Sequence, residues 1–297
     1  MEHLFGPVPS RRLGLSLGLD LSPYKTCTLD CAYCQLGRTT CLTLERKRRV
    51  SVREVLEEIE SKRDADFDYL TLAGSGEPTL HLGLDEIIEG AKEIIDQPIV
   101  ILTNGTLFSS PKVRAEVTKA DLIIPSLDAA TQSTFERTNR PHPDLRIEEI
   151  IEGLVALREE FEGEIWLEVM LVKGLNDFEV HKIAQAAKRI RPDKIQLNTV
   201  VRPPAELVLP LDSKGMDEAL KAFEGANVIA EWERKTGGEI EVQELLSRRP
   251  CTLDEICTLT GLHRNEVLKH LGILEQEGTM ESRRHENKLY FQVSGKT

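Results

Sequence analysis

The 297-residue sequence has no apolar run near the roughly 20 residues that a membrane-spanning helix needs, so we expect no membrane association. It has only six cysteines, too few for the disulfide framework of a small secreted domain. Its first residues have no basic stretch followed by an apolar one, so we expect no export signal and a reducing cytoplasm. Basic residues are outnumbered, and the net charge of -12 argues against broad electrostatic adhesion to nucleic acid.

Six apolar, strand-like segments alternate with helical segments between residues 13 and 200. This alternation favours right-handed crossovers and a parallel sheet. Six units are fewer than the eight of a closed barrel, so we predict an α/β fold, a partial (β/α)6 TIM-like barrel with functional residues at the carboxyl ends of its strands. The predicted strands are Leu13–Leu21, Phe67–Ala73, Ile99–Thr103, Leu122–Leu127, Ile165–Val172 and Lys194–Val200. The predicted helices are Ser51–Lys62, Leu84–Ile95, one beginning at Pro111, Ile147–Phe161 and Asp177–Ile190.

The pattern changes after residue 236, where Gly237 and Gly238 interrupt the chain. Glu241–Arg248 can form a helix, Thr252 and Glu255 have the spacing of a capping box, and His263–Gln276 has a helical apolar stripe. Two short strand candidates follow. We therefore predict a barrel domain over residues 1–236 and a small winged helix-turn-helix domain over residues 237–297.

Three cysteines, Cys27, Cys31 and Cys34, lie within eight residues. A cubane 4Fe-4S cluster held by three thiolates keeps one iron open, and that iron can bind a small molecule. The alternative, a zinc site, needs four ligands, and the nearest further candidates are Cys41 and His3.

The other cysteines are expected to have packing roles. We expect Cys41 to be a small buried residue rather than a hydrogen donor, and Cys251 and Cys257 to pack in the C-terminal domain rather than bind a second cluster.

Small and polar residues follow the predicted strands, at the rim where their carboxyl ends meet. The loop after the second strand, Gly74 to Glu77, combines residues that allow a close backbone approach with a carboxylate suited to an ammonium group. Any one of these residues could instead cap a strand or form a turn. The candidate ligand-binding residues are Tyr33, Gly74, Ser75, Gly76, Glu77, Thr103, Asn104, Ser126, Asp128, Asn198, Val200 and Arg202.

With these motifs the sequence resembles the radical S-adenosylmethionine (SAM) superfamily, in a branch grouped with the tRNA wyosine synthases. The resemblance is carried by the cysteine motif with Tyr33, by Ser75-Gly76-Glu77, in which serine replaces the family's first glycine, and by Arg202-Pro203-Pro204. It covers the barrel up to Pro204. Wyosine synthases have a second cluster on upstream cysteines, and this chain has no cysteine before Cys27, so the substrate is not carried over.

The resemblance implies a 4Fe-4S cluster on the three cysteines and SAM on its open iron. It implies that the loop ending in Glu77 binds the SAM amino group, that Ser126 and Asp128 lie near the ribose and carboxylate, and that Asn198 and Val200 lie near the adenine. A one-electron donor such as ferredoxin or flavodoxin would reduce the cluster. SAM would then be cleaved to methionine and a 5'-deoxyadenosyl radical that abstracts hydrogen from a substrate.

Three hypotheses about the function stay open. The enzyme could modify RNA or a protein or peptide that docks on the C-terminal domain, it could act on a small metabolite, or the chain could be a cluster-containing DNA-binding regulator. Four basic residues of the tail and one asparagine could contact phosphate. These are Arg264, Asn265, Lys269, Arg283 and Arg284. Arg11, Arg12, Arg140 and Arg202 could pair with anions in the site or brace loops.

Overall fold

Six parallel strands form the centre of the main sheet in the computed structural model, which describes residues 3–229, 242–262 and 264–294. The strands of the main sheet are β1 Leu4–Ser10, β2 Gly14–Leu19, β5 Tyr69–Leu72, β6 Ile99–Thr103, β7 Leu122–Pro125, β8 Glu164–Lys173, β9 Lys194–Thr199, β10 Leu209–Pro210 and β11 Asn227–Val228. Their order is β1-β2-β5-β6-β7-β8-β9-β11, and β10 pairs with β8. All neighbours along this order are parallel except β1, which is antiparallel to β2. The predicted α/β partial barrel is confirmed.

Helices connect the parallel strands as the alternation predicts. The barrel helices are α1 Val52–Ser61, α2 Leu84–Ile94, α3 Pro111–Val117, α4 Gln132–Thr138, α5 Ile147–Glu160, α6 Val180–Ile190 and α7 Ser213–Leu220. Short 3-10 helices span Pro78–Leu80, Thr106–Ser109 and Asp177–Glu179. Helix α1 begins where predicted, because the Ser51 side chain accepts a hydrogen bond from the backbone N–H of Glu54. Among the described residues, no helix is both long enough and apolar enough to cross a membrane.

Both faces of the sheet are buried, which explains the continuous apolar strands. In β6, Ile99 and Ile101 belong to the main core beneath the helices, whereas Val100 lies in a second cluster with Leu122 and Ile124. Strands covered on both faces do not alternate in polarity. This is why the composition of β6 and β7, more than their period, marked them in the sequence.

Several elements of the barrel region were not predicted, among them β1, α4, α7 and the short strands β10 and β11. Strand β1 contains Pro7 and Pro9, residues that argue against a central strand. It lies at the edge of the sheet, where a missing backbone donor is tolerated.

The C-terminal segment forms three helices and a small antiparallel sheet. The helices are α8 Val242–Arg248, α9 Leu253–Thr260 and α10 Arg264–Gln276, and the strands are β12 Cys251–Thr252, β13 Met280–His285 and β14 Lys288–Val293. The capping box of Thr252 and Glu255 is present, and Cys251 is buried in a core of this segment's own. The elements follow the predicted order, but assignment to the winged-helix class stays a prediction. Gly237, Gly238 and the side chains of Asn265 and Lys269 lie outside the described residues.

Candidate active site

A cavity of about 450 Å³ gathers the predicted site residues. It is lined by all three motif cysteines, by Tyr33, by the loop from Gly74 to Glu77 and by residues at or just after the carboxyl ends of three further strands. Those last residues are Thr103, Asn104, Ser126, Asn198, Val200 and Arg202. Of the predicted residues, Asp128 does not line this cavity and lies behind it, in a smaller space shared with Cys31 and Tyr33. Topology therefore brings segments more than 150 residues apart to one rim, although the role of each residue stays a prediction.

The motif cysteines lie on a loop closed at its base by two short parallel strands, β3 Thr26–Cys27 and β4 Cys41–Leu42. A different N–H group approaches each sulfur. Lys25 Nζ lies 3.0 Å from Cys34 Sγ, Asn104 Nδ2 lies 3.5 Å from Cys27 Sγ, and Asn139 Nδ2 lies 3.4 Å from Cys31 Sγ. Hydrogen bonds to the sulfurs are one of the means by which a protein sets the potential of an iron-sulfur cluster. Cys41 is exposed, so the expectation that it is buried was wrong.

Burial keeps two of these thiols protonated in the absence of a cation. It raises the pKa of Cys27 to about 12, with a further contribution from Glu77, and raises the pKa of Cys31 still further, with a contribution from Asp128. A bound metal reverses this preference, because coordination deprotonates a thiol. Among the described residues, no three His, Cys, Asp or Glu side chains are placed to share a single metal ion. In a cubane each thiolate binds a different iron, so three thiolates need not converge on one ion.

The loop from Gly74 to Glu77 is held by Asp20, at the end of β2. Its Oδ2 atom accepts hydrogen bonds from Ser75 N at 2.9 Å and from Ser75 Oγ at 2.6 Å. A Cβ atom at Gly74 would lie 2.2 Å from Asp20 Cγ, and one at Gly76 would lie 2.1 Å from the Thr26 carbonyl oxygen. Glycine is therefore required at both positions for the loop to approach its neighbours this closely. Sequence reasoning missed Asp20, whose signal was an acid ending an apolar strand.

The carboxylate of Glu77 joins this loop to the next strand. Its Oε1 atom accepts from Thr79 N at 3.1 Å, Thr79 Oγ1 at 2.6 Å and Thr103 Oγ1 at 2.6 Å, and its Oε2 atom accepts from Asn104 N at 2.8 Å. Burial raises the pKa of Glu77, while these hydrogen bonds act in the opposite direction. Oε2 receives one protein hydrogen bond in the described structure, so a lone pair is left for a donor in the cavity.

Asp128 organises the side of the site behind Tyr33. It accepts hydrogen bonds from the Tyr33 hydroxyl, from Asn139 Nδ2 at 2.8 Å and from Met170 N at 2.8 Å. Burial raises the pKa of Asp128 to about 6, against the effect of these donors. In this structure Asp128 positions Tyr33 and Asn139 beside Cys31. Its direct contact with the ribose or carboxylate of SAM stays a prediction.

Two arginines that were candidates for anion binding brace the protein instead. Arg202 donates to the Pro250 carbonyl oxygen at 2.7 Å and to Glu255 Oε1 at 2.8 Å, which ties the end of β9 to the C-terminal segment. Arg140 pairs with Glu206 away from the cavity. Arg202 still lines the cavity, but its guanidinium is committed to these partners.

Glu168, on β8, was also missed. It receives hydrogen bonds from Arg12 and from Asn198 Nδ2 at 2.9 Å, so it orients two cavity residues. Burial would raise its pKa, but the charges of Arg12 and Arg11 and the hydrogen bonds from Arg12 and Asn198 together outweigh burial, and the pKa is lowered. A charged residue inside an apolar strand was the available signal.

Comparison with known proteins agrees with this geometry. Residues 21–187 match the Radical SAM superfamily. The chain is 35% identical over 280 residues to a UPF0026 protein of Methanocaldococcus jannaschii, and the match covers 91% of this chain and 86% of that protein. It is 36% identical over 292 residues to a protein named GTPase Obg from Brachyspira hyodysenteriae, covering 93% of this chain and 43% of that protein. The chain thus spans less than half the length of this second relative.

The fold also has a similar solved structure. A radical SAM methyltransferase from Sphaerobacter thermophilus matches with a TM-score of 0.52 and 17% sequence identity, over 72% of this chain and 65% of that chain. At this level of identity the similarity concerns the fold.

Proposed function

The chain belongs to the Radical SAM superfamily, and we propose that Cys27, Cys31 and Cys34 hold the 4Fe-4S cluster at which this enzyme cleaves SAM and starts hydrogen abstraction from a substrate. The observation that carries the proposal is the single cavity shared by three cysteines, each with an N–H group near its sulfur, and the loop that ends in Glu77. When bound, the cluster supplies one electron that splits SAM into methionine and a 5'-deoxyadenosyl radical, which takes a hydrogen atom from a C–H bond.

The protein's residues fit these groups. Three thiols and no fourth leave one iron open, and burial of Cys27 and Cys31 suits sulfurs whose charge a metal neutralises. The remaining acceptor position of Glu77 and the close-packed backbone around Gly74 and Gly76 suit the SAM amino group. Tyr33 and Asn104 line the cavity beside the sulfurs, and Asp128 accepts a hydrogen bond from the Tyr33 hydroxyl. The roles of Ser126, Asn198 and Val200 at the ribose and adenine follow from the family resemblance.

The lining of the cavity favours a substrate that contacts both the barrel and the C-terminal segment. Glu244, Leu245, Arg248 and Arg249 line the same cavity as the cysteines. A nucleotide of RNA or a peptide side chain could enter there while the rest of the macromolecule docks on the exposed Arg283 and Arg284.

A small metabolite is the second candidate. It is favoured by the cavity volume of about 450 Å³, within the range of about 300–1,000 Å³ typical of small-molecule sites. The electron donor is of the ferredoxin or flavodoxin type.

The test is anaerobic reconstitution with iron and sulfide, reduction, and assay of 5'-deoxyadenosine from SAM, with Cys31→Ala compared to Cys41→Ala. Wild type and Cys41→Ala are expected to hold about four irons per chain and to form 5'-deoxyadenosine, whereas Cys31→Ala does neither. Cys41 is a matched control because it lies on the same loop but is exposed. A wild-type cluster that never cleaves SAM would contradict the proposal.

A further inference from the structure

Four arginines from three separate parts of the chain lie together at one side of the cavity. Arg11 and Arg12 lie in the turn between β1 and β2, Arg202 follows β9, and Arg249 follows α8. All four line the cavity. Burial, together with the charges of Arg12, Arg202 and Arg249, lowers the pKa of Arg11 to about 10, so these guanidinium groups repel one another.

The carboxylates of the protein balance only part of this charge. Arg12 pairs with Glu168, and Arg202 pairs with Glu255 at 2.8 Å. Within the described ranges, neither Arg11 nor Arg249 has a carboxylate oxygen within 4.0 Å, and Arg11 makes one long hydrogen bond, 3.5 Å to Asn198 Oδ1. Glu244 is one further carboxylate on this side of the cavity. When Arg248 and its partner Asp20 are included, five arginines on this side face four carboxylates.

Arginine N–H donors without a hydrogen-bond partner also favour an anion at this wall of the cavity. The Nε atoms of Arg12 and Arg248 are buried and have no hydrogen-bond partner in the described structure. Arg248 lines the cavity as well and pairs with Asp20 through Nη1 at 3.2 Å. A buried donor without a partner costs free energy, and it costs more when it belongs to a charged group. Surplus charge and unpaired donors at one wall are both relieved by an anion.

In the described structure Arg11 and Arg249 make no hydrogen bond to the loop assigned to the SAM amino group, and Arg11 instead approaches Asn198, which the family resemblance places near the adenine. The SAM amino group is assigned to the loop ending in Glu77, whose partners are Thr79, Thr103 and Asn104. Arg249 belongs to the C-terminal segment and Arg11 to the first hairpin, so the cluster lies where the two parts of the chain meet. An anion there would contact residues from both parts.

We propose that Arg11 and Arg249 form a binding site for an oxyanion, a phosphate or a carboxylate, carried by the substrate of this enzyme. Guanidinium groups suit either anion, because their N–H donors match two oxygens at once. The inference rests on the proposed function, since it places the substrate in the cavity that holds the cluster. It also gives the C-terminal segment a direct part in substrate binding.

The test measures binding of radiolabelled inorganic phosphate, and separately of succinate, to the reconstituted full-length protein by equilibrium dialysis at constant ionic strength. We expect one of the two anions to bind, and Arg249→Gln and Arg11→Gln each to weaken that binding at least tenfold. Arg249→Lys should restore part of the affinity. Arg53→Gln removes an exposed arginine of α1 outside the cavity and should leave binding unchanged. Thermal unfolding of each variant shows that it is folded.

Binding measured with saturating SAM distinguishes a site for a substrate anion from a site for the carboxylate of SAM. Phosphate or succinate that stays bound with SAM present supports a substrate site, whereas displacement by SAM would assign the arginines to the SAM carboxylate and overturn the inference. Equal binding to wild type and both glutamine variants would overturn it too. Wild type that cleaves SAM but binds neither anion contradicts this inference alone, and wild type that binds an anion but never cleaves SAM contradicts the proposed function alone.

Discussion

Glu77 shows how one buried carboxylate can serve both the fold and the ligand. Its two oxygens accept hydrogen bonds from three donors on Thr79 and Thr103 and from the backbone of Asn104, so they fix the distance between two strand ends. Asn104 in turn approaches Cys27 Sγ through Nδ2. A change at Glu77 is therefore felt at the cofactor loop and at a cysteine.

We predict that Glu77→Gln weakens SAM binding at least tenfold. An amide would direct two N–H donors toward groups that are themselves donors, and it would not carry the negative charge that attracts an ammonium group. The measurement is the Kd for SAM of the anaerobically reconstituted protein. Glu86→Gln is the matched control, because Glu86 is exposed and pairs with Arg48 outside the cavity. Unchanged SAM affinity in Glu77→Gln would remove Glu77 from the SAM site.

Residues of the site were predictable where a contiguous motif carries them. Cys27, Cys31 and Cys34 form one such motif, and the loop ending in Glu77 forms another. The contacts of Asp20 and Asn139 were not predictable, because each acts on a residue that is distant in sequence, Ser75 and Cys31. Only the folded chain shows such pairs.

At the scale of elements, the packing of α5 depends on one glycine. Gly153 lies in the middle of α5, and a Cβ atom there would lie 2.5 Å from the carbonyl carbon of Phe108 and 2.5 Å from Ser109 N. These are backbone atoms of the 3-10 helix Thr106–Ser109, which cannot move aside as a side chain can. That helix follows Asn104, so its position bears on the cavity.

Gly153→Ala should destabilise the protein by about 2 kcal/mol or more, since overpacking in a tight core costs typically 1–3 kcal/mol and the obstacle here is backbone. Gly272→Ala is the control, because Gly272 lies in helix α10 with open space around its Cβ position, and alanine there should be neutral or stabilising by up to about 1 kcal/mol. Urea denaturation of both variants measures the difference. Equal stabilities would show that α5 can shift away from the 3-10 helix.

Elements were predictable to the extent that burial determined their composition. Strands β6 and β7 are apolar on both faces, whereas β2 and β9 alternate apolar with small or polar residues, and all six parallel strands appear in the sequence within a few residues of their observed bounds. Helix α4, Gln132–Thr138, has only seven residues and mixes polar with buried positions such as Phe135. Too few turns are present for a helical period to be visible.

At the scale of the whole molecule, buried ion pairs join the C-terminal segment to the barrel. Arg202 reaches Pro250 and Glu255, the Tyr290 hydroxyl donates to the Val201 carbonyl oxygen at 2.7 Å, and Arg248 reaches Asp20. Because Asp20 also holds Ser75, a chain of contacts runs from α8 to the loop assigned to SAM. The position of the C-terminal segment thus bears directly on the cofactor site.

We predict that Glu255→Gln lowers the free energy needed to open this junction by about 2–3 kcal/mol. This is somewhat below the 3–5 kcal/mol typical of breaking a fully buried pair, because the Glu255 side chain is 21% exposed. The measurement is hydrogen exchange of backbone amides in α9 and β14 at pH 7. Glu275→Gln, on the exposed face of α10, is the control and should exchange like wild type.

The same pair predicts a dependence on pH. Burial would raise the pKa of Glu255, but Arg202 and the Thr252 backbone N–H outweigh burial and lower it below the ordinary value of 4.5. The folded state therefore keeps this carboxylate ionised where the unfolded chain takes up a proton. The stabilisation is complete above pH 4.5 and is lost as the pH falls through the lower folded pKa. Protection of α9 and β14 in wild type should accordingly approach that of Glu255→Gln in acid, and a gap that stays constant from pH 7 to below pH 4 would show that the charge of Glu255 does not stabilise the junction.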